Sequence, residues 1–425
     1  MRATELAAAY GTPAYVYDLA AIRRAHGDLR RCLPRPSELY YSLKANPHPD
    51  VVAQLAALGC HAEVSSTGEV DIARESGLPA SSLLLTGPGK TAETIDHALD
   101  QGVRHFSVDS PGDLQRVGER ATARGVSARC LLRVNADERV PGLAMTMTGT
   151  ASQFGADAGW VAREPERFRA AGGARVQGLH LYMGTNLDDE DTLMSQFDVG
   201  VRLAGRLAWR LGGIEEVDLG GGFGAPFART AERPRFPALA TRLEAHLDEH
   251  LRGWRSGQPR VTFESGRYLT ADCGTLVCRV VDVKPSGRET FVVLDAGVNH
   301  LGGMSGLKRL PRIIPELQPD GVVGRPDRLV DAAVVGPLCT PLDVFCRGVE
   351  LPPLRPGDLV SIPNVGAYGL TASLLAFLGH RPPLEIVVDS DDIVSVTRLA
   401  LTRSTVDGGS AEPEPLPLVD ARSSS

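Results

Sequence analysis

Eight short apolar runs follow one another along the first two thirds of the chain, and each leads through a polar or glycine-containing turn into a helical stretch. Alternation of this kind predicts strand-then-helix units. The runs span residues 39–44, 61–64, 82–86, 105–108, 128–134, 176–183, 216–219 and 260–264. Eight such units favour an α/β fold with a closed parallel (β/α)8 barrel of the TIM type, whose catalytic groups lie on the loops after the strands. An open doubly wound sheet is the structural alternative.

The pattern changes near residue 270, where short strands follow one another without helices between them. These strands include 275–284, 290–294, 331–335, 358–362, 384–388 and 393–398, and they predict a second, all-β domain. We therefore expect the barrel over residues 36–270 and the β domain over 271–403, with residues 1–35 packed against the β domain. Residues 404–425 are rich in Ser, Pro, Gly and acidic residues, which is typical of a disordered tail.

The composition argues against several function classes. The chain has 425 residues, a net charge of −7 at pH 7 and no block of Lys or Arg, so neither nucleic acid nor an anionic membrane is an expected partner. It has no N-terminal apolar core and no apolar run of about 18 residues, which predicts a cytoplasmic protein. The seven cysteines lack a Cys-x-x-Cys pair, which argues against disulfides and against a metal site.

Lys44 closes the first predicted strand. A lysine at a strand end is more often a solvated surface residue. At the mouth of a barrel, however, partial desolvation and nearby cations would lower the pKa of its amine. Such an amine could form an imine with a carbonyl cofactor.

A glycine cluster at residues 218–224, which reads Asp-Leu-Gly-Gly-Gly-Phe-Gly, directly follows the seventh predicted strand. Consecutive glycines such as Gly221 and Gly222 let backbone N–H groups approach a phosphate closely. A tight turn is the alternative interpretation. Neither a Walker loop nor a Rossmann fingerprint is present, so the cluster suits a cofactor with a single phosphate.

Phe263-Glu264-Ser265-Gly266-Arg267-Tyr268 follows the eighth predicted strand, where barrels often bind phosphate. Arg267 has the forked geometry that suits phosphate oxygens. Glu264, if it lies near a pyridine nitrogen, would keep that nitrogen protonated and strengthen the ring as an electron sink. A structural Glu–Arg pair is the alternative.

Together these motifs resemble the fold-type III enzymes that use pyridoxal 5′-phosphate (PLP), in particular the ornithine and diaminopimelate decarboxylase group. The resemblance covers roughly residues 12–400. It implies that Lys44 carries the cofactor as a Schiff base, that Glu63 is the acid near the cofactor and the lysine, and that Arg133 supports that acid. It further implies that Glu264 contacts the pyridine nitrogen, and it assigns phosphate contacts to Gly222, Gly266, Arg267, Thr185 and Tyr368.

The stretch Gly336-Pro337-Leu338-Cys339-Thr340 resembles the family's Gly-Pro-x-Cys motif. By that resemblance Cys339 reaches into the active site of a partner subunit and protonates the decarboxylated carbanion. The resemblance therefore implies a homodimer whose active sites contain residues from both chains.

Two positions depart from the family pattern. A histidine usually stacks on the pyridine ring, whereas this chain has Tyr182, which can stack but cannot carry a proton as imidazole does. His180 lies two residues earlier and by the alignment is not the stacking residue.

The second departure is Thr340. Ornithine and diaminopimelate enzymes have an acid there that holds the distal amino group of the substrate, and a threonine offers that group no charge. Together with Gln153-Phe154-Gly155 and the loop at 366–370, this combination most resembles a biosynthetic branch that decarboxylates an aminoacyl group, such as glutamyl, tethered to an acyl carrier protein.

The resulting hypothesis is α-decarboxylation with Lys44, Glu264 and Cys339 as the catalytic residues. Diaminopimelate decarboxylase, or a relative acting on another free amino acid, is the alternative within the enzyme class. A racemase is less favoured, and a non-catalytic PLP-binding protein is a distant alternative. Two interpretations of residues 299–315 stay open: part of the substrate pocket, or a surface loop.

Overall fold

The computed structural model describes residues 2–138, 152–302, 314–320 and 329–405. Its strands, in chain order, are β1 (Ala14–Asp18), β2 (Glu38–Ser42), β3 (His61–Val64), β4 (Leu83–Leu85), β5 (His105–Val108), β6 (Ala128–Asn135), β7 (Ala156–Asp157), β8 (Ala170–Ala171), β9 (Ala174–His180), β10 (Glu216–Asp218), β11 (Arg260–Ser265), β12 (Gly274–Ser286), β13 (Glu289–Leu294), β14 (Gln318–Pro319), β15 (Leu329–Val335), β16 (Val344–Leu351), β17 (Leu359–Ile362), β18 (Leu384–Asp389) and β19 (Asp392–Arg398).

Eight parallel strands close into a barrel. The order runs from β2 through β3, β4, β5 and β6 to β9, β10 and β11, and β11 pairs in parallel with β2. This last pairing closes the sheet and excludes the open doubly wound alternative. The predicted (β/α)8 barrel is confirmed, and each of the eight predicted runs overlaps one barrel strand.

Helices connect the barrel strands. In chain order the helices are α1 (Ala3–Tyr10), α2 (Leu19–Cys32), α3 (Pro49–Ala57), α4 (Thr67–Glu75), α5 (Ala92–Asp100), α6 (Pro111–Ala123), α7 (Ala158–Arg163), α8 (Glu190–Ala208), α9 (Leu239–His250) and α10 (Arg267–Thr270). Several begin at a side chain that accepts a backbone N–H of the first turn, as Ser66, Thr91, Ser110 and Asp189 do. Such caps satisfy N–H groups that a helix leaves free and so fix where each helix starts.

An aromatic cluster supports the barrel wall behind the glycine loop. The ring of Phe197 on α8 lies 5.5 Å from that of Phe263 on β11 and 5.7 Å from that of Phe223, which follows the glycines. Phe236 lies 6.0 Å from Phe223. Because these rings are buried, their packing fixes the position of the loop relative to α8 and β11.

The second sheet combines the N-terminal strand with the C-terminal part of the chain. β1 pairs antiparallel with β12 and in parallel with β18, and the main order is β16-β15-β13-β12-β1-β18-β19. β1, β14 and β16 were not predicted as strands from the sequence. β1 runs directly into a helix at Leu19, and β16 contains Arg347 and Gly348, which interrupt its apolar pattern. In the described ranges, no helix is both long and apolar enough to cross a membrane.

The β domain contacts the barrel mouth through the loop after β17. The N–H of Tyr368 donates to the carbonyl of Ala45 at 2.7 Å, and Asn46 Nδ2 donates to the carbonyl of Gly366 at 2.9 Å. These bonds hold residues 363–370 against the turn that contains Lys44.

Candidate active site

Lys44 lies in the turn directly after β2, where its amine meets the carboxylate of Glu63 on β3. Its Nζ donates to both Oε1 and Oε2 of Glu63 at 3.0 Å, and Thr86 donates its hydroxyl to Oε1 at 2.7 Å. The Glu63 side chain is only 3% exposed, whereas that of Lys44 is 47% exposed. The structure thus places a buried acid beside a lysine that remains open to the mouth of the barrel.

This ion pair determines the protonation of both partners. Burial by itself would lower the pKa of Lys44, but the charge of Glu63, together with the smaller effects of Tyr368, Glu264 and Tyr182, outweighs burial and raises that pKa above its ordinary value. The prediction of a lowered lysine pKa is therefore wrong, because the group facing the amine is an acid. Burial alone would raise the pKa of Glu63, but the Lys44 charge and the hydrogen bonds to the carboxylate lower it to about 2.

The glycine loop at residues 220–222 follows β10 and has no room for larger residues. Gly222 has a φ of 100°, in the left-handed region. A Cβ on Gly221 would lie 2.2 Å from the carbonyl oxygen of Glu264, and one on Gly222 would lie 2.7 Å from Gln196 Nε2. Gln196 donates to the carbonyl of Gly221 at 2.6 Å, so α8 holds the loop directly.

Arg267 and Tyr368 lie at the same mouth but belong to different parts of the chain. The guanidinium of Arg267 lies 4.7 Å from the centroid of the Tyr368 ring. Burial lowers the pKa of Arg267, and within the described part of the chain its Nε has no hydrogen-bond partner. The site therefore contains a buried cation with a free donor.

A small cavity beside Lys44 brings most of the predicted site residues together. It is lined by Ser42, Lys44, Tyr182, Thr185, Gly221, Gly222, Phe223, Glu264, Ser265, Gly266, Arg267 and Tyr368. Nine of these twelve were predicted as site residues, and Ser42, Phe223 and Ser265 were not. Glu63 contacts Lys44, whereas Arg133 and Cys339 do not line the cavity.

Glu264 lies near the end of β11, beside His180 and Asp218, which end β9 and β10. Its Oε1 lies 3.4 Å from His180 Nε2, and neither atom has a hydrogen-bond partner among the described residues. Burial, together with the charges of Glu63 and Asp218, raises the pKa of Glu264 well above its usual range. Burial also raises the pKa of Asp218 to about 7 and keeps His180 neutral by lowering its pKa.

Arg133 contacts aromatic rings. Its guanidinium lies 4.8 Å from the ring centroid of Phe154 and 5.7 Å from that of Tyr182. In the described ranges, no hydrogen bond or ion pair joins Arg133 to Glu63, so the expected support of that acid stays a prediction. The observed contacts indicate that Arg133 holds the Tyr182 ring.

Cys339 lies on the loop between β15 and β16. It is the exposed one of the seven cysteines: Cys32 is partly buried and the other five are buried. Its proposed entry into a partner's site stays a prediction. Of the segment 299–315, residues 303–313, which include Lys308, Arg309 and Arg312, lie outside the described residues, as does the predicted tail from residue 406 onward.

Two residues that position the site were not predicted from the sequence. Gln196 is 3% exposed on the apolar face of α8, and a glutamine between the buried Leu193 and Phe197 is the signal that could have identified it. Thr86 ends a predicted strand at the barrel mouth, where a polar side chain is expected to face the site.

A wider surface groove of about 330 Å³ lies outside the barrel, beside α8 and α9. Its charges are already paired. Arg202 lies 2.9 Å from Glu138 and 3.0 Å from Asp198, and His246 lies 2.7 Å from the same aspartate. The acids and arginines of this groove already face one another, whereas the Lys44 cavity has an acid and an arginine with unpartnered atoms, and we place the active site at that cavity.

The residues around the cavity fit PLP. The buried acid Glu264 has an unpartnered oxygen that can face a ring nitrogen, and Arg267 has an unpartnered donor for phosphate. The glycine loop leaves its backbone open to close approach. Lys44 supplies the primary amine that an aldehyde requires. His180, Asp218 and Glu264 have potential metal-ligand atoms within 4.8 Å of one another. The adjoining amine of Lys44 and the groups suited to phosphate nevertheless favour PLP over a metal ion.

Comparisons with known proteins agree with this geometry. Residues 19–271 match the family model described as pyridoxal-dependent decarboxylase, pyridoxal binding domain. The chain is 32% identical over 390 residues to the L-glutamyl-[BtrI acyl-carrier protein] decarboxylase of Niallia circulans, covering 90% of each chain. It is 30% identical over 399 residues to the diaminopimelate decarboxylase of Zymomonas mobilis, covering 93% of this chain and 91% of that protein.

Among solved structures, diaminopimelate decarboxylase from Helicobacter pylori in complex with L-lysine matches with a TM-score of 0.80 at 25% identity, over 93% of this chain and 96% of that chain. The M. jannaschii enzyme, also in complex with L-lysine, matches with a TM-score of 0.81 at 26% identity, over 92% and 90% of the two chains. The family match spans more than half of the chain and covers every barrel strand. The chain therefore belongs to the pyridoxal-dependent decarboxylases, and it is a PLP-dependent carboxy-lyase.

Proposed function

We propose that this decarboxylase acts on an aminoacyl group, glutamyl or similar, tethered to a carrier protein in a cytoplasmic biosynthetic pathway. When bound, PLP supplies an electron-accepting ring that takes up the electrons left as CO2 departs. Lys44 attaches the cofactor covalently, and Glu264 holds a proton at Oε1 for the ring nitrogen. Phosphate is held by Thr185, Gly221, Gly222, Gly266, Arg267 and Tyr368.

The remaining side chains orient the reacting groups. Tyr182, held by Arg133, presents an aromatic face to the cofactor ring. Glu63 holds the amine of Lys44 at the mouth and is placed to accept the proton that this amine must lose before it can attach the cofactor. Cys339 donates the proton that the α-carbon needs after CO2 leaves, and we propose that it does so in the site of a partner subunit. Its exposure, and its absence from the lining of this chain's own cavity, support that arrangement.

The observation that carries the substrate proposal is the chemistry of the Cys339 loop, residues 336–343. The residue after the cysteine is Thr340, which has no charge and accepts the N–H of Leu342 at 3.4 Å. The only carboxylate in this loop is Asp343, which is 3% exposed and accepts two backbone N–H groups. The loop therefore offers no free acid to a distal ammonium, and a substrate whose distal end is a thioester needs none.

Diaminopimelate is the second candidate substrate. The relative from Zymomonas mobilis and the two solved structures are diaminopimelate decarboxylases. The relative from Niallia circulans acts on a carrier-bound glutamyl group, and the neutral Thr340 favours that alternative.

Parallel assays separate the two candidate substrates. Purified enzyme loaded with PLP is given glutamyl carrier protein and, in parallel, free meso-diaminopimelate, and mass spectrometry follows the loss of CO2. We expect the carrier-bound substrate to lose 44 Da, the mass of CO2, and free diaminopimelate to react at least about 10-fold more slowly, as the loss of one charge-assisted contact implies. Efficient formation of lysine would refute the proposal. Thr340→Glu, which restores an acid after the cysteine, should shift the preference toward diaminopimelate.

Complementation tests the shared site. Lys44→Arg and Cys339→Ala are each expected to lower activity at least about 10²-fold as homodimers. If each site uses Lys44 of one chain and Cys339 of the other, random mixing should restore about a quarter of the sites, because half of the dimers are hybrids with one intact site. No recovery from a mixture shown to exchange subunits would contradict the shared site.

A further inference from the structure

The Cys339 loop is closed where β15 and β16 meet. The N–H of Gly336 donates to the carbonyl of Asp343 at 3.2 Å, and the N–H of Asp343 donates to the carbonyl of Thr340 at the same distance. A further bond of 2.8 Å joins the N–H of Thr340 to the carbonyl of Leu338. The backbone around Cys339 is thus a defined turn.

The carboxylate of Asp343 fixes this turn to a second segment. Its Oδ2 accepts the N–H of Leu338, next to Cys339, at 2.7 Å. Its Oδ1 accepts the N–H of Val298, in the segment after β13, at 2.8 Å. The side chain is 3% exposed, and charged acceptors make the stronger hydrogen bonds to N–H groups. A single buried side chain therefore connects the residue before Cys339 to the rest of the β domain.

Two glycines leave room for this carboxylate. A Cβ on Gly297 would lie 2.4 Å from Asp343 Oδ1, and a Cβ on Gly336 would lie 2.4 Å from Oδ2 and 2.3 Å from the Cα of Gly297. The carboxylate is consequently packed between two backbone segments and cannot shift without moving one of them.

We propose that Asp343 is a positioning residue for Cys339: it anchors the loop through Leu338 so that the exposed thiol is presented at a fixed place. This inference rests on the proposed role of Cys339 as the proton donor. Asp343 itself does not touch the substrate, since its two oxygens are bonded to backbone amides. Its function is to limit the movement of a loop whose tip is exposed.

Hydrogen exchange tests the anchor in the cofactor-free protein. In Asp343→Ala, peptides containing Val298 and Leu338 should exchange at least about 10-fold faster, because both amides lose their acceptor. Glu385→Ala is the matched control, since it removes a buried β-domain acid on β18 that accepts from Tyr17 and lies outside the loop. Unchanged exchange at both amides in Asp343→Ala, or an equal rise at them in Glu385→Ala, would overturn the inference.

Kinetics of the loaded enzyme test the link to Cys339. Asp343→Ala should lower kcat about 10²-fold, as misplacement of a reacting group by about 1 Å does, and leave KM within about 2-fold. In a Cys339→Ala background the same substitution should cause no further loss. If the activity losses of the two single variants multiply in the double variant, Asp343 acts independently of Cys339, its role is merely structural, and the inference is overturned. Full activity of Cys339→Ala would refute the proton-donor role, whereas an inactive Cys339→Ala beside a fully active Asp343→Ala would refute only the inference.

A second pair of variants guards against misfolding of Asp343→Ala. Asp343→Asn keeps the volume and one acceptor oxygen, so it should accelerate exchange at one of the two amides only. Gly297→Ala adds a methyl group against the carboxylate and should lower kcat with Asp343 intact. If Gly297→Ala has wild-type kcat, the carboxylate does not need its place between the glycines, and the inference fails.

Discussion

The two ends of the barrel both bury acids, but the acids at the base face an arginine, whereas Glu264 and Asp218 at the mouth form no ion pair with Lys or Arg among the described residues. At the base, Glu38, His61, His105, Glu216 and Arg260 are the first residues of their strands. Arg260 lies 2.5 Å from Glu216 and 3.7 Å from Glu38, and the two histidines, whose pKa burial lowers, each lie within 3.6 Å of one of these acids. The guanidinium of Arg260 thus supplies a countercharge for both acids of the base.

At the mouth, the acids near the strand ends are crowded together. Glu264, Asp218 and His180 leave buried polar atoms without partners in the described part of the chain, and burial raises the pKa of both acids. Unpaired buried groups cost stability, and proteins retain them where a ligand uses them. The comparison teaches that substitutions at the base should change stability, whereas substitutions at the mouth should change chemistry.

The largest effect is expected at Lys44. Lys44→Arg keeps a positive charge opposite Glu63, but a guanidinium cannot attach an aldehyde, so the visible absorbance of bound cofactor should disappear. Activity should fall at least about 10⁴-fold, at the upper end of what one positioned catalytic group contributes. Absorbance spectra and single-turnover CO2 release measure both. A variant that kept the absorbance band would show that another residue anchors the cofactor.

Glu264 and Arg260 provide the direct contrast between the two ends. Glu264→Gln at the mouth should lower kcat about 10³-fold, because an amide cannot supply a proton to the ring nitrogen, without lowering the free energy of unfolding. Arg260→Met at the base should leave kcat unchanged and lower the free energy of unfolding by about 3 kcal/mol, since it leaves Glu216 buried and unpaired. Urea unfolding and steady-state kinetics on both variants test this. Loss of activity in Arg260→Met at full cofactor loading would break the comparison.

Sequence patterns were sufficient for the barrel because each strand carries its own signal. The apolar runs and the turns after them are local, so the order of β2 to β11 could be predicted from short stretches. The strand-end residues Lys44 and Glu264 could be predicted for the same reason, since a parallel barrel brings all strand ends to one mouth.

The electrostatics could not be predicted in that way, because they depend on neighbours that are distant in sequence. The raised pKa of Lys44 comes mainly from Glu63, and the contacts at the base join residues from five strands. Gln196 acts through Gly221, 25 residues later, and Asp343 acts through Val298. β1 was missed for a related reason: its partners β12 and β18 lie more than 250 residues away.

The pH dependence of stability tests the Lys44–Glu63 ion pair at the mouth. The pKa of Glu63 is lowered from 4.5 to about 2, so its stabilising effect is present above pH 4.5 and is lost as the pH falls toward 2. The loss should amount to at most about 3 kcal/mol. Urea unfolding of the cofactor-free protein between pH 2.5 and 6 measures it, with Lys44→Met/Glu63→Gln as the control. If the free energy of unfolding changes equally with pH in the wild type and the control, the Lys44–Glu63 pair contributes nothing to stability.

The effect with the most informative sign is expected for Asp218→Asn. Burial raises the pKa of Asp218 from 3.8 to about 7, so the folded state is favoured below pH 3.8 and loses that advantage as the pH rises through 7. Asn keeps the oxygen that accepts the N–H of Gly220 at 2.8 Å and carries no charge. At pH 8 the cofactor-free variant should be more stable than the wild type by at most about 4 kcal/mol, and at pH 3 the two should be equal. Arg260→Met should change stability in the opposite direction at pH 8. If urea unfolding shows that both substitutions destabilise the protein, Asp218 is stabilised by its surroundings as Glu216 is by Arg260, and the contrast between the two ends does not extend to it.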